Sequence, residues 1–350
     1  MLIIRQFAAV IVGLLATVFV TVLVGSAVSG CSNSSEQLVI HAVSGATMGT
    51  SYSVKVVAPK DFDQQGLKSN VQAVLDRIES RMSTYRKDSE LSRFNTSKPG
   101  QWFDVTDETA KVVALGLTIS QETQGAFDMT VGPLVNLWGF GPGKVISKAP
   151  TELQINNLLT QVGYDQIEVR QTPPSLFKHQ DAYLDLSAIA KGYAVDAVAD
   201  TLGSQFSAYL VEVGGELRAE GRKPSGENWR IAVESPVVET RDIQKVIKVE
   251  GTAIATSGDY RNYFEQDGVR YSHTIDPTTG KPIRHRLASV TVLDPSCGRA
   301  DALATALMVL GEEKGLALAK SMKLPALFLV KQEQGFAEII TPEFEPFLIQ

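Results

Sequence analysis

Leu184-Asp185-Leu186-Ser187-Ala188-Ile189-Ala190-Lys191-Gly192-Tyr193 reads as a strand that hands over directly to a helix. Residues 182–186 carry the strand, and Gly192 to Leu202 repeat apolar residues at helical spacing until Gly203 closes the run. A strand feeding a helix is a building unit of a mixed α/β chain. The junction also has chemical meaning. Helix N-terminal N–H groups and the Lys191 ammonium converge there, and both favour phosphate oxygens. A solvated lysine at a helix start would give the same letters, so the ligand stays open at this point.

The same two periods recur on both sides. Ser51 to Val57 alternates like a strand, and Val71, Val74, Leu75, Ile78 and Met82 fall at helical spacing. A further helix spans Thr109 to Glu122, with Asp107 near its start and Gly125 past its end. Strand-like runs follow at Leu210–Val213, Trp229–Val233, Val246–Val249, Ser289–Leu293 and Leu327–Val330, and Ala300 to Leu310 is an apolar helix ended by Gly311. Gln171 to Gln180, with Pro173-Pro174, reads as a surface loop inside a continuing fold. No repeat and no shift in composition splits the chain. The expected fold class is mixed α/β (α+β), one domain over residues 38–350 with two lobes.

Composition narrows the function. The chain has 350 residues, 44% hydrophobic and 21% charged, which excludes disorder, collagen and coiled coil. A formal net charge of −6 argues against a nucleic-acid partner. Cys31 and Cys297 are too few for a disulfide framework. His41, His179, His273 and His285 show no paired ligand spacing, which argues against a zinc enzyme.

The N-terminus reads as an address. Phe7 to Val24 is almost wholly apolar, Arg5 precedes it, and Gly25-Ser26-Ala27-Val28-Ser29-Gly30-Cys31 follows. That order is an export signal, although the run is also long enough for an uncleaved anchor. Val28-Ser29-Gly30-Cys31 resembles a bacterial lipobox, in which the cysteine is acylated and becomes the first residue. The expected division is a signal over 1–30, then lipidated Cys31 with a polar tether to residue 37, then the domain. Loss of Arg5 with the signal leaves the remainder one unit more acidic. The protein is expected on the periplasmic side of a bacterial membrane, held by lipid. The inner membrane is the first expectation, but Ser32 stands where an inner-membrane retention aspartate would be, so the target membrane stays open.

Five stretches carry the chemistry. Thr47-Met48-Gly49-Thr50-Ser51-Tyr52 stands before the first recognised strand. Gly125-Ala126-Phe127-Asp128-Met129-Thr130-Val131-Gly132-Pro133 allows close backbone approach and offers a flat ring beside an acceptor. The 184–193 junction is the third. The fourth runs through Thr256-Ser257-Gly258-Asp259-Tyr260 to Ser272-His273-Thr274-Ile275-Asp276-Pro277-Thr278-Thr279-Gly280, where His273 is a candidate proton acceptor. In the fifth, Ala300-Asp301-Ala302-Leu303-Ala304-Thr305, the acid and hydroxyl are one helical turn apart on one face. An acid in so apolar a helix needs a partner, either its own backbone and solvent or a hard cation such as Mg2+. Gly139-Phe140-Gly141-Pro142-Gly143-Lys144 is not a nucleotide loop: Trp138 stands where a P-loop needs its first glycine, Val145 replaces Ser/Thr, and Lys144 takes the third glycine position of GxGxxG.

Together these stretches resemble the ApbE flavin-transferase family. The resemblance also rests on Ser83-Thr84-Tyr85, Ser89-Glu90-Leu91-Ser92-Arg93-Phe94-Asn95 and Gly214-Gly215-Glu216, in the same order along the chain. It implies an ApbE-like (T-fold-like) domain that binds FAD and, with Mg2+, transfers its FMN half to a Ser or Thr of an acceptor protein, releasing AMP. Carried over by position, it implies flavin contacts at Met48, Tyr85, Ala126, Phe127, Asp128 and Lys191, with Ser257, His273 and Ile275 near the phosphates or ring. It implies a metal held by Asp301, Thr305 and the Ala188 carbonyl, with His273 and Asp301 as the catalytic pair. The acceptors it implies carry an Asp-Gly-x-Ser-Gly-Ala-Thr sequence on subunits of sodium-pumping NADH:quinone reductase or Rnf-type complexes. Ser44-Gly45-Ala46-Thr47 repeats the end of that sequence, but His41 and Ala42 stand where it has Asp and Gly. An FAD pyrophosphatase, with water in place of the hydroxyl, and a non-catalytic FAD-carrying lipoprotein are the alternatives.

Overall fold

The computed structural model describes residues 37–142, 148–236, 243–259, 263–266 and 268–349. The signal over 1–30, Cys31 with the tether up to residue 36, Gly143-Lys144-Val145 and Tyr260 lie outside the described residues. Leu38–Gln350 forms one unit.

The unit opens on an antiparallel hairpin of β1 (Leu38–Thr47) and β2 (Thr50–Pro59). Its two turn residues, Met48 and Gly49, both have positive φ, 48° and 71°. That left-handed pair matches the twist of the flanking strands. Helix α1 (Gln64–Met82) starts on the Asp63 carboxylate, which accepts from the Gln65 and Gly66 N–H groups, and it buries Leu67, Val71, Val74, Leu75, Ile78 and Met82. Then come α2 (Glu90–Thr96), capped by Ser89, β3 (Phe103–Asp104), α3 (Asp107–Glu122), α4 (Gly132–Leu137) and α5 (Glu152–Leu159). β4 (Ile167–Gln171) and β5 (Pro174–Lys178) join β3 in a small sheet. Helix α6 (Ala190–Gly203) leads to the hairpin β6 (Tyr209–Val213) and β7 (Glu216–Glu220).

β8 (Trp229–Glu234) pairs with β9 (Ile243–Val249), and β10 (Thr252–Gly258) follows. Two short hairpins come next, β11 (Tyr263–Gln266) with β12 (Val269–Ser272), and β13 (Ile275–Asp276) with β14 (Lys281–Pro282). The chain closes with β15 (Leu287–Asp294), α7 (Cys297–Ser321), β16 (Ala326–Lys331) and β17 (Phe336–Ile340).

Among the described residues, eight strands form one antiparallel sheet in the order β1-β2-β6-β7-β10-β15-β16-β17. Neighbouring residues of its strands face opposite sides. Ala255, Val290, Val292 and Phe328 therefore join the main core under α1, α6 and α7, while Ile254, Leu293, Leu327 and Leu329 meet Trp229 and Phe344 on the other face. A third cluster of Leu134, Trp138, Ile155 and Ile275 builds a small lobe from α4, α5 and the β11–β14 hairpins. Its centre is a stack: Tyr271 lies 4.9 Å from the Phe264 ring and 5.4 Å from Trp138, and the Trp138 indole N–H donates to the Gly280 carbonyl.

Three local expectations change. Residues 182–186 make no ladder: the Asn95 carboxamide takes the place of a neighbouring strand, accepting from the Leu184 N–H and donating to the Leu184 carbonyl, both at 2.8 Å. The Gln171–Gln180 loop contains β5, whose Leu176 and Lys178 are fully buried. Pro173-Pro174 gave the stretch a surface look, yet its Lys178 ammonium donates to the carbonyls of Asn95 at 2.9 Å and Ala182 at 3.3 Å. Gly311 does break α7, with φ 77° and ψ −176°, but helix resumes as far as Ser321.

Candidate active site

The site begins where α6 meets α7. A Cβ on Gly192 would lie 2.6 Å from the Cys297 carbonyl carbon and 2.8 Å from the Gly298 Cα, so only glycine lets the two helices approach this closely. One turn along α6, the Asp196 carboxylate accepts from the N–H groups of Cys297 and Gly298, each at 3.0 Å, and from the Ser296 hydroxyl at 2.8 Å. An acid of one helix thus caps the other. The docking brings Asp301, 4% exposed, onto the first turn of α6, where its Oδ2 accepts from the Gly192 N–H at 3.1 Å. Thr305 lies one turn further, its Oγ1 3.3 Å from the Ser257 hydroxyl on β10. Ala188 stands in the turn that leads into α6. Lys191, Ser257, Asp301 and Thr305 are therefore gathered at one junction.

A residue that the sequence offered only within the Gly214-Gly215-Glu216 stretch, with no role of its own, completes the group. Glu216, at the start of β7, is 4% exposed, and its Oε1 accepts from the Lys191 ammonium at 2.5 Å. Among the described residues its Oε2 is buried without a partner. Burial pushes the Glu216 carboxyl up to about 7 against the pull of Lys191, with the Asp301 charge adding to the rise. Burial likewise raises Asp301, opposed by Lys191 and the Gly192 N–H. For Lys191 burial works downward, but Asp301 and Glu216 outweigh it and hold the ammonium above its ordinary value. Two acids thus share one cation. Glu216 has a sequence signal in hindsight, an acid directly after two turn glycines and inside an otherwise buried strand.

The donor set suits a hard cation. Asp301 offers a buried carboxylate, Thr305 a hydroxyl and Ala188 a carbonyl, all oxygen, beside carboxylates that lack one positive charge. Among the described residues no three His, Cys, Asp or Glu side chains cluster as metal ligands. A cation here would draw on neutral oxygens and on its substrate, which is the habit of Mg2+.

Of the expected flavin contacts, Lys191 and Ser257 stand at this junction and Ile275 in the small lobe. Met48 is half-buried at the tip of the β1–β2 turn. The Gly214-Gly215 turn lies against that hairpin: the Gly214 N–H donates to the Ser51 carbonyl at 3.0 Å, and a Cβ on Gly214 would meet the Thr50 methyl at 2.9 Å. Tyr85 is 66% exposed, an open aromatic face. Phe127 and Asp128 differ from the sequence picture of a free ring and a free acceptor. Phe127 is buried in the main core. Asp128 Oδ1 accepts from the Thr130 N–H at 2.7 Å and hydroxyl at 2.6 Å, and Oδ2 from the Tyr164 N–H at 2.9 Å, so its side chain clamps loops. The backbone of the segment is engaged as well: the Ala126 N–H donates to the Thr123 carbonyl at 3.1 Å and the Phe127 N–H to the Thr123 hydroxyl at 3.2 Å. His273, half-buried, follows β12 and meets the Phe140 ring edge-on at 6.3 Å, while Ile275 is buried in the small lobe. Beside that lobe runs a cleft of about 490 Å³ bordered by Trp138, Tyr271, Asp276, Arg284 and His285.

Comparison with known proteins places this geometry. The profile of the ApbE family matches residues 48–328. The FAD:protein FMN transferase of Vibrio cholerae serotype O1 is 49% identical over 323 residues, covering 91% of this chain and 95% of its own. The enzyme of that name from Escherichia coli is 38% identical over 329 residues, covering 91% and 94%. Among solved structures, the flavin transferase ApbE from Vibrio cholerae aligns with TM-score 0.82 at 47% identity, over 89% of this chain and 100% of that one. The apo form of the Pseudomonas stutzeri flavinyl transferase ApbE aligns with TM-score 0.82 at 44% identity, over 89% and 98%.

Proposed function

This chain belongs to the ApbE family, and from that membership together with the α6–α7 junction we infer that it is an FAD:protein FMN transferase. It moves the FMN half of FAD onto an acceptor protein. The observation that carries the inference is the pair of buried carboxylates, Asp301 and Glu216, around Lys191 at a helix start, with Thr305 and Ser257 beside them. Such a place takes a diphosphate once its charge is balanced.

The finer chemistry follows from the residues. A Ser or Thr hydroxyl of the acceptor attacks the FMN-side phosphorus, forming a phosphodiester, and the bond to the AMP oxygen breaks with its electron pair leaving on AMP. Asp301, Thr305 and the Ala188 carbonyl would hold Mg2+, which when bound neutralises the diphosphate. Lys191 sets its ammonium toward the phosphate oxygens at the start of α6. His273 takes the acceptor's proton, a contribution of roughly 10²–10⁴-fold for a placed base. His273→Gln should lower transfer by about that factor while leaving FAD bound; near-full rate would remove it from this role. The acceptors proposed are subunits of sodium-pumping NADH:quinone reductase or Rnf-type complexes. Lipidation of Cys31 would hold the enzyme on the periplasmic side of the membrane.

The test is to mix the protein lacking residues 1–30 with FAD, Mg2+ and an acceptor bearing Asp-Gly-x-Ser-Gly-Ala-Thr, and to weigh the acceptor. A gain of one FMN, abolished by EDTA, is expected. Free FMN and AMP beside an unmodified acceptor would make the protein a pyrophosphatase, and intact FAD would make it a carrier.

A further inference from the structure

Resting on the transfer reaction inferred above, we propose that Glu216 reads the ribityl chain of FAD, accepting a hydrogen bond from one of its hydroxyls through Oε2. Two observations lead there. The first is the unpartnered oxygen: Glu216 is 4% exposed, Oε1 is taken by Lys191 at 2.5 Å, and Oε2 meets no donor. In its ionised form the carboxylate oxygen can only accept, and leaving it dry in a closed site is costly. Phosphate oxygens and Asp301 are acceptors too, so none of them can satisfy it. With the Mg2+ assigned to Asp301, Thr305 and the Ala188 carbonyl, the group missing at the ionised Oε2 is a hydrogen-bond donor.

The second observation is position. Oε2 lies 3.5 Å from where a Cβ on Gly214 would stand, and Gly214 packs on Thr50 in the hairpin whose tip is Met48. Glu216 therefore sits between Lys191, which the proposed reaction sets toward the phosphates, and the hairpin tip at Met48, which the family resemblance makes a flavin contact. In FAD the segment joining phosphate to ring is the ribityl chain, whose three hydroxyls are donors. Gly214 is the residue that leaves room, since its φ of 64° and the 2.9 Å approach to the Thr50 methyl both exclude a side chain.

The test uses FAD and three analogues deoxygenated at the 2′, 3′ or 4′ ribityl carbon, with binding read by quenching of flavin fluorescence and transfer read separately. One analogue should bind the native protein more weakly than FAD by on the order of ten- to a hundredfold, as for a lost hydrogen bond to a charged group. In Glu216→Gln the penalty for that same analogue should shrink. Equal binding of FAD and all three analogues would overturn the proposal, as would a penalty unchanged in Glu216→Gln. If that variant does not fold, the native protein with the three analogues decides alone. Failure to bind FAD at all would bring down the transfer reaction and this proposal with it, whereas normal binding and transfer with no hydroxyl preference overturns this proposal only.

Discussion

Asp301 and Glu216, each 4% exposed, share the single ammonium of Lys191, and their chemistry follows from that shortage. Asp301→Asn keeps the shape and still accepts from the Gly192 N–H, so thermal melting should show no loss of stability. Transfer should nevertheless fall on the order of 10²–10³-fold, the scale of a removed preorganised charge. Glu216 sets a pH dependence. Its carboxyl stands at about 7 in the fold against an ordinary 4.5. Between those values the folded protein keeps a proton that the unfolded chain has released, so metal-free protein should lose stability as pH rises from about 4.5 to 7. The deficit is complete above that window and absent below it. Melting in EDTA at about pH 5 and about pH 8 checks this, and Glu216→Gln should flatten the difference. Asp301 and Thr305 were legible in the sequence because an acid and a hydroxyl one turn apart stand out in an apolar helix. Glu216 stood in a quoted stretch, but its role was not legible, since its partner Lys191 is 25 positions away.

Helix packing carries those side chains into place. Gly192→Ala puts a methyl into the Cys297 backbone and should force α6 off α7, costing about 1–3 kcal/mol and breaking the Gly192–Asp301 hydrogen bond. Urea unfolding gives the first effect and loss of Mg2+-supported transfer the second. Lys178 and Asn95 hold the segment that feeds α6, so Lys178→Met should cost about 1–3 kcal/mol by leaving the Asn95 and Ala182 carbonyls buried and unpaired. Strand and helix periods gave most elements, including β2, α1, α3, α6 and β15. They failed at residues 182–186, where a side-chain amide stands in for a strand. They also failed at β5, where Pro173-Pro174 at the start of the strand imitates a surface loop. β1 went unrecognised as well, because Leu38 and Ile40 remain exposed on its edge and blur the alternation.

At the scale of the molecule, the eight-stranded sheet supports two regions that the chain separates by many residues. The α6–α7 junction bears Lys191, Asp301 and Thr305, and the small lobe bears His273 and Ile275. The order of short motifs from Thr47 to Thr305 was enough to indicate the family. Their mutual distances were not legible, since they depend on sheet order and helix docking. The most direct measurement is to follow FAD labelled only at the FMN-side phosphorus through one turnover with an acceptor threonine. The label and the flavin absorbance should leave together on the acceptor, with unlabelled AMP in solution. Label recovered in free FMN, or in AMP, would contradict transfer of the FMN half by this site.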